Sequence, residues 1–383
     1  MKKKKIGVMT DLLLIGGVQK GAIEQVRELN KLGHKATLLI QMRKKYSTDF
    51  SYLLKKIPHQ YLSDSYPPIF RKSIKLPIFS FLSTLHLLSP ILSLNVIKTK
   101  EYDLIISWGT TTCLTSNTLF RFRKIPYIAI IHDPIAYILD KAYAKTLLRL
   151  TFPFLKPVVK KFEAACIREA KKTIVISSVH YEYIKKSYGV KPVVIPLGIK
   201  IPKIVPKRRG DTILSFARWQ KAKNPTFLLK LAREFPKEKF VIAGSWIDKN
   251  EYLWFKNLIK MQNLQTQVKL VPHYTDQELA ILCKKARLWL HPHFEAFGLA
   301  ALEAASYGLP IIFPAGSGMS ESFKHRINGF FPARVSIKEY SKYINFLLSD
   351  KKLAERMGQK AREVVKQKFS WSSKVQELLK YVN

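Results

Sequence analysis

Short apolar runs recur along the chain between stretches with a helical period. In the first half they fall at Ile6–Met9, Ala36–Ile40, Leu104–Ser107, Tyr127–Ile131, Thr173–Ile176 and Val193–Ile195. In the second half they fall at Ile213–Phe216, Phe240–Ala243, Val268–Val271, Leu288–Leu290 and Ile311–Phe313. Such runs are apolar at consecutive positions, which predicts strands buried on both faces, as in parallel sheets covered by crossover helices. Eleven strands with two separate beginnings predict an α/β protein of two Rossmann-like, doubly wound parallel-sheet domains.

The stretch PLGIKIPKIVPKRRGD (196–211) is rich in proline and charge and has no helical period. It sets the expected boundary between an N-terminal domain, 1–200, and a C-terminal domain, 201–368. The amphipathic helix expected at 369–383 is assigned to pack back on the first domain. A chain of 383 residues, 47% of them hydrophobic, is long enough for two such cores.

Two apolar segments raise the question of membranes. The start, MKKKKIGVMTDLLLIGG, has the basic and apolar order of a signal peptide, but Asp11 interrupts it and no small-residue cleavage site follows. Ile6–Met9 therefore reads as a first strand. The segment 76–97, LPIFSFLSTLHLLSPILSLNVI, is long enough to span a bilayer, yet it holds Pro77, His86, Pro90, Asn95 and four serines. It reads as a surface-lying helix pair. With the basic residues of 71–100 around it, it suits a lipid headgroup region; the alternative is an internal helix against the first sheet.

Charge sharpens the choice of partner. The chain has 66 basic and 27 acidic residues, a formal charge of +39. That field favours nucleic acid, acidic lipid or phosphorylated substrates, unless it is a lysine coat without function. Cys113, Cys166 and Cys283 lie far apart without zinc spacing, which suits a reducing compartment and no structural metal.

In open parallel sheets ligands bind beyond the carboxyl ends of the strands. After the first strand, Gly16 and Gly17 open a helix that runs to about Leu32 and stops at Gly33. They either admit a phosphate or sugar to backbone N–H groups or simply make a tight turn. In YIAIIHDPIAYI, Asp133 and Pro134 form an N-cap and N1 pair, while His132 stands at a strand end, functional or a satisfied core histidine. In ILSFARWQKAKNP, Arg218 and Lys223 follow a strand end and could hold a diphosphate, or could be solvated surface charge.

The stretch HPHFEAFGLAALEAASYGLP (291–310) carries Glu295 on a strand-exit loop and Glu303 in the second turn of the next helix. A close-packed helix seldom carries carboxylates unless they hold something. The N–H groups of Phe297, Gly298 and Leu299 lie at the helix's positive end, ready for an anion. A ligand with a phosphate there and hydroxyls for both glutamates has the form of a nucleotide sugar.

The Glu295–Glu303 spacing is an E-x7-E motif, and the chain resembles retaining glycosyltransferases of family 4, with the GT-B fold. The resemblance runs through the Gly-Gly loop, the strand-end histidine, ISS (176–178), VVIPLGI (193–199), the R-x4-K pair, FVIAGS (240–245) and the GSGMSE loop ending at Glu321. It implies a GT-B architecture of two domains facing a central cleft. It also implies transfer of a sugar from a nucleotide-diphosphate sugar to a glycan or lipid-linked acceptor, with retention. By the same resemblance Glu295 contacts donor sugar hydroxyls, Glu303 the ribose, Arg218 and Lys223 the diphosphate, and His132 faces the reacting sugar. Gly244 and Val271 join the donor-binding set, with base contacts made by backbone around Val271–His273. Ala217 and Asn224 replace glycines of the family pattern and His293 a serine, which bears on donor identity.

No Asp-x-Asp occurs, so neither a metal nor another cofactor is expected. The expected location is cytoplasmic, at the inner face of the cell membrane, on an acidic lipid surface. A sugar-nucleotide epimerase of the same architecture is an alternative. So is a basic nucleic-acid-binding protein, although no nucleic-acid module is recognisable and nucleic acid is not the expected partner.

Overall fold

The computed structural model describes residues 3–11, 17–43, 51–71, 84–132, 134–142, 150–203, 210–295, 297–318 and 320–382. The chain forms two compact units: Met1–Gly198 with Trp371–Asn383, and Ile199–Ser370.

The first unit opens with β1 (Lys5–Thr10), α1 (Gly17–Lys31), β2 (Lys35–Ile40), β3 (His59–Tyr61) and α2 (Thr84–Leu92). It continues with β4 (Leu104–Trp108), α3 (Thr110–Arg123), β5 (Tyr127–Ile131), α4 (Ile135–Ala142), α5 (Phe152–Arg168), β6 (Lys172–Val175), α6 (Ser178–Tyr188) and β7 (Val193–Val194). All pairings are parallel, in the order β3-β2-β1-β4-β5-β6-β7. Every residue of β4 and β5 is buried, which is why these strands read as unbroken apolar runs.

The second unit contains β8 (Thr212–Phe216), α7 (Thr226–Glu234), β9 (Lys239–Ala243), α8 (Lys249–Met261), β10 (Val268–Val271), α9 (Asp276–Lys285) and β11 (Ala286–Leu290). It ends with α10 (Leu299–Ser306), β12 (Ile311–Ile312), α11 (Ile337–Ser349) and α12 (Lys351–Lys368). Its parallel sheet has the order β10-β9-β8-β11-β12. The chain then returns to the first unit as α13 (Trp371–Leu379), whose Trp371 lies against Gly21 of α1 and Trp108 of β4. Each sheet therefore reverses its strand order once, between β1 and β4 and between β8 and β11.

All eleven predicted strands are present. Among the described residues the one strand missed is β3, a three-residue edge strand, His59–Tyr61, paired with β2. At an edge it needs no two-sided apolar run, so the sequence pattern carried no signal for it.

The residues that broke the two membrane-like segments account for each other. His86, buried on α2, lies with Nε2 2.7 Å from Asp11 Oδ2 at the end of β1. The carboxylate gives the buried imidazole a hydrogen-bond partner there. No described helix is long and apolar enough to cross a membrane. The remainder of that segment, 72–83, lies outside the described residues.

Candidate active site

The strongest cluster of site residues forms where the second sheet reverses its strand order. The chain leaves β8 through Ala217 and Arg218 and makes one tight turn, Lys221–Lys223, which Asn224 closes at φ +54°. Beside it the chain leaves β11 through His291. Lys223 Nζ reaches Glu295 Oε1 at 2.6 Å, so the two exit loops are joined by an ion pair.

His291 completes the cluster from below. It is buried, tilted against Trp219 at 5.4 Å between centroids and stacked with Trp289. Its Nε2 lies 3.3 Å from Glu295 Oε1, and its carbonyl accepts a hydrogen bond from the buried Tyr340 hydroxyl at 2.8 Å. Burial lowers the His291 pKa, against the opposing pull of Glu295. The ring is thus neutral near pH 7, and facing a carboxylate it must carry its proton on Nε2. Burial of Glu295 opposes ionisation, but the His291 hydrogen bond and the Lys223 charge outweigh it and hold the carboxyl at about 2.

The backbone of Glu295 is held as well. Its N–H donates to Ser317 Oγ at 3.3 Å, and its carbonyl accepts from Gly318 N at 3.0 Å. The loop after β12, GSGMSE, is thereby tied to the glutamate that it accompanies in the sequence motif. Phe297 is buried, and Gly298 takes φ +93° as the N-cap of α10. Glu303 lies in the second turn of α10, where its charge adds to burial in raising the pKa of Tyr274, and burial followed by several carboxylates and Cys283 pushes Tyr307 up to about 12.

Arg218 is exposed and makes no ion pair or hydrogen bond among the described residues. Gly244 is also a packing position. A Cβ there would lie 1.9 Å from Ala217 O, and its φ is +121°, so only glycine lets the exits of β8 and β9 touch. Its N–H donates to the carbonyl of Val271 at 2.8 Å, which occupies that backbone group of the expected base-binding stretch.

In the first unit His132 leaves β5, half-buried, against Gly109 at the start of α3. A Cβ on Gly109 would come within 2.9 Å of the imidazole. The following turn is fixed from a distance. The buried Glu163 of α5 accepts hydrogen bonds from Ile135 N (2.5 Å) and Ala136 N (3.3 Å), the first residues of α4, and from the Tyr188 hydroxyl (2.5 Å). It does from another helix what an N-cap does locally. Burial pushes the Glu163 carboxyl up, and these hydrogen bonds act against that shift. Asp133, the expected cap, and Gly16 lie outside the described residues; Gly17 is the first residue of α1.

Sequence reasoning singled out Glu295, Glu303, Arg218 and Lys223 but gave no role to His291, Ser317, Glu163 or the Asp11–His86 pair. His291 was visible only as the head of the quoted stretch. Glu295 and Trp289 are its near neighbours in sequence, but Trp219 and Tyr340 come from elements that no local spacing connects to it.

Residues 15–201 match the family described as Glycosyltransferase Family 4, and residues 199–364 match Glycosyl transferases group 1. Together the two matches run almost end to end. The chain belongs to the family 4 glycosyltransferases. It is 23% identical over 309 residues to the alpha-1,3/1,6-mannosyltransferase of Homo sapiens, covering 74% of this chain and 73% of that one. It is 22% identical over 309 residues to an Escherichia coli UDP-Gal:alpha-D-GlcNAc-diphosphoundecaprenol alpha-1,3-galactosyltransferase, covering 74% and 76%. Among solved structures, Anabaena HepE in complex with UDP and glucose superposes with a TM-score of 0.75 at 17% identity, over 98% of both chains. Sucrose-phosphate synthase of Thermosynechococcus elongatus superposes with a TM-score of 0.77 at 16% identity, over 99% of this chain and 98% of that one. These likenesses establish the GT-B fold of this glycosyltransferase.

Proposed function

We propose that this glycosyltransferase is a hexosyltransferase. It moves a sugar from a nucleotide-diphosphate sugar to a lipid-linked or membrane-presented glycan, with retention of configuration and without a metal ion. The observation that carries the reading is the Lys223–Glu295 contact, which unites a cation for phosphate and an ionised carboxylate for sugar hydroxyls at the sheet's switch point.

In this reading the second unit binds the donor. Glu295, fixed by Lys223, His291 and Ser317, accepts hydrogen bonds from hydroxyls of the donor sugar; Glu303 accepts from the ribose. Arg218, which has no competing partner among the described residues, holds the diphosphate with Lys223. The departing diphosphate gains charge as the glycosidic bond breaks, and fixed cations with the N–H groups at the start of α10 stabilise it. Glu295 positions the sugar rather than attacking it. In the first unit, which takes the acceptor, His132 faces the reacting sugar. A lipid-linked acceptor is named for the E. coli relative, and the basic surface of this chain agrees with an anionic carrier.

The test is transfer of labelled sugar from UDP-, GDP- and ADP-sugars to lipid-extract acceptors. An epimerase would convert the donor without any acceptor, and a nucleic-acid-binding protein would leave every donor intact.

A further inference from the structure

The first unit carries an inverted helix surface. On α5 the water-facing positions are Pro153, Phe154, Pro157, Val158, Lys161, Phe162 and Arg168, five apolar residues and two basic ones. Phe154 is 82% exposed and Phe162 59%. A helix on a soluble surface ordinarily turns its charged side outward. Here the acidic residue of that helix, Glu163, is buried, and Glu169 just beyond it is held by Arg121 at 2.5 Å. The outward stripe therefore has no carboxylate.

The stripe does not stand alone. α3 packs against both α2 and α5, which places the three helices in one layer. α2 contains no charged residue and exposes Leu87 (59%) and Ile91 (66%), one turn apart. The last turn of α3 carries Phe122, 70% exposed. Exposed lysines border these apolar tips: Lys98 and Lys100 after α2, Lys124 after α3, and Lys161 on α5. Large apolar tips collected on one layer and rimmed by cations mark an interaction surface, not scattered exposure.

We propose that the outward face of α2, α3 and α5 is a membrane-docking surface whose partner is an anionic phospholipid bilayer. Phenylalanine and aliphatic tips enter the acyl boundary while lysines meet lipid phosphates. Charge selects this occupant: a second copy of a chain with formal charge +39 would bring cations against cations, whereas an acidic bilayer neutralises them. The assignment deepens the reading of a membrane-presented acceptor and rests on it for its purpose.

Sedimentation of the full-length protein with vesicles tests it, using phosphatidylcholine alone and phosphatidylcholine mixed with phosphatidylglycerol. The wild type should co-sediment with the mixed vesicles, less as salt rises, and weakly with the neutral ones. Phe154→Ser with Phe162→Ser should lower partitioning by about tenfold or more, as should Lys124→Glu with Lys161→Glu. Unchanged thermal melting and donor binding in both variants would show that folding and the donor site are intact. Equal sedimentation of wild type and serine variant, or none with acidic vesicles, would overturn the assignment. So would concentration-dependent dimers that the serine variant abolishes. Vesicle binding combined with transfer to a water-soluble acceptor would keep the docking surface and remove the lipid-linked acceptor. Transfer to a lipid-linked acceptor in detergent without vesicle binding would do the reverse.

Discussion

The Lys223 ammonium sits 2.6 Å from Glu295 Oε1, and these residues leave the two strands that flank the reversal of order in the second sheet. The pair turns two loops remote in sequence into one charged surface. Together with the hydrogen bond from the buried His291, the Lys223 charge holds the Glu295 carboxyl at about 2.

Glu295→Gln and Glu303→Gln, made singly, should leave folding intact and weaken use of the donor. Losing a hydrogen bond to an ionised group corresponds to about 1.5–3 kcal/mol in kcat/KM. Steady-state kinetics of both variants check this, and wild-type turnover would remove the residues from the site.

Lys223→Met and Glu295→Gln should be non-additive in stability, since each single change strands the other residue. An interaction energy of about 1 kcal/mol is expected for a half-buried pair. Urea denaturation of the two singles and the double measures it. Additive effects would mean that the contact has no energetic role.

Stability should fall on acidification in two stages. The folded-state pKa of His291 lies below its ordinary value, so the unfolded chain binds the proton first, and stability starts to drop as pH falls below about 6.5. Glu295 is also depressed, to about 2, so its contribution is complete above the ordinary carboxyl range and lost as pH falls toward that value. In Glu295→Gln the second stage should shrink by about 2 kcal/mol after allowance for solvent screening. Denaturant midpoints between pH 7 and about 3 give the comparison.

Glu163→Ala should destabilise the first unit by about 3 kcal/mol, because it strands the Tyr188 hydroxyl and two N–H groups of α4. Glu163→Gln keeps an acceptor oxygen and should cost about 1 kcal/mol. Equal losses in the two variants would assign the role to packing instead of hydrogen bonding.

The strands were legible because a parallel sheet buries both faces, so each central strand announces itself as an apolar run. β3 was not, since an edge strand of three residues has no such requirement. At the site, Glu295 and Glu303 stood out as carboxylates in a close-packed, apolar context. Arg218 and Lys223 were legible as a pair at a strand exit, but nothing in their own loop said that Lys223 would meet Glu295. Gly244 carries a second kind of constraint: its lack of a side chain lets Ala217 O pass at close range. Glu163 acts through partners brought by other elements, and so does His291 through Trp219 and Tyr340, a kind of information that spacing along one chain does not contain.

The most direct test of the donor site is transfer of labelled sugar in the presence of EDTA, comparing wild type with Arg218→Ala and Lys223→Ala. The protein cations are proposed to do the electrostatic work, so wild-type transfer should survive chelation. Each substitution should raise the barrier by about 2.7–4 kcal/mol, the usual cost of removing one such stabilising group. Activity that vanished with EDTA and returned with magnesium or manganese, or alanine variants as fast as wild type, would contradict the account.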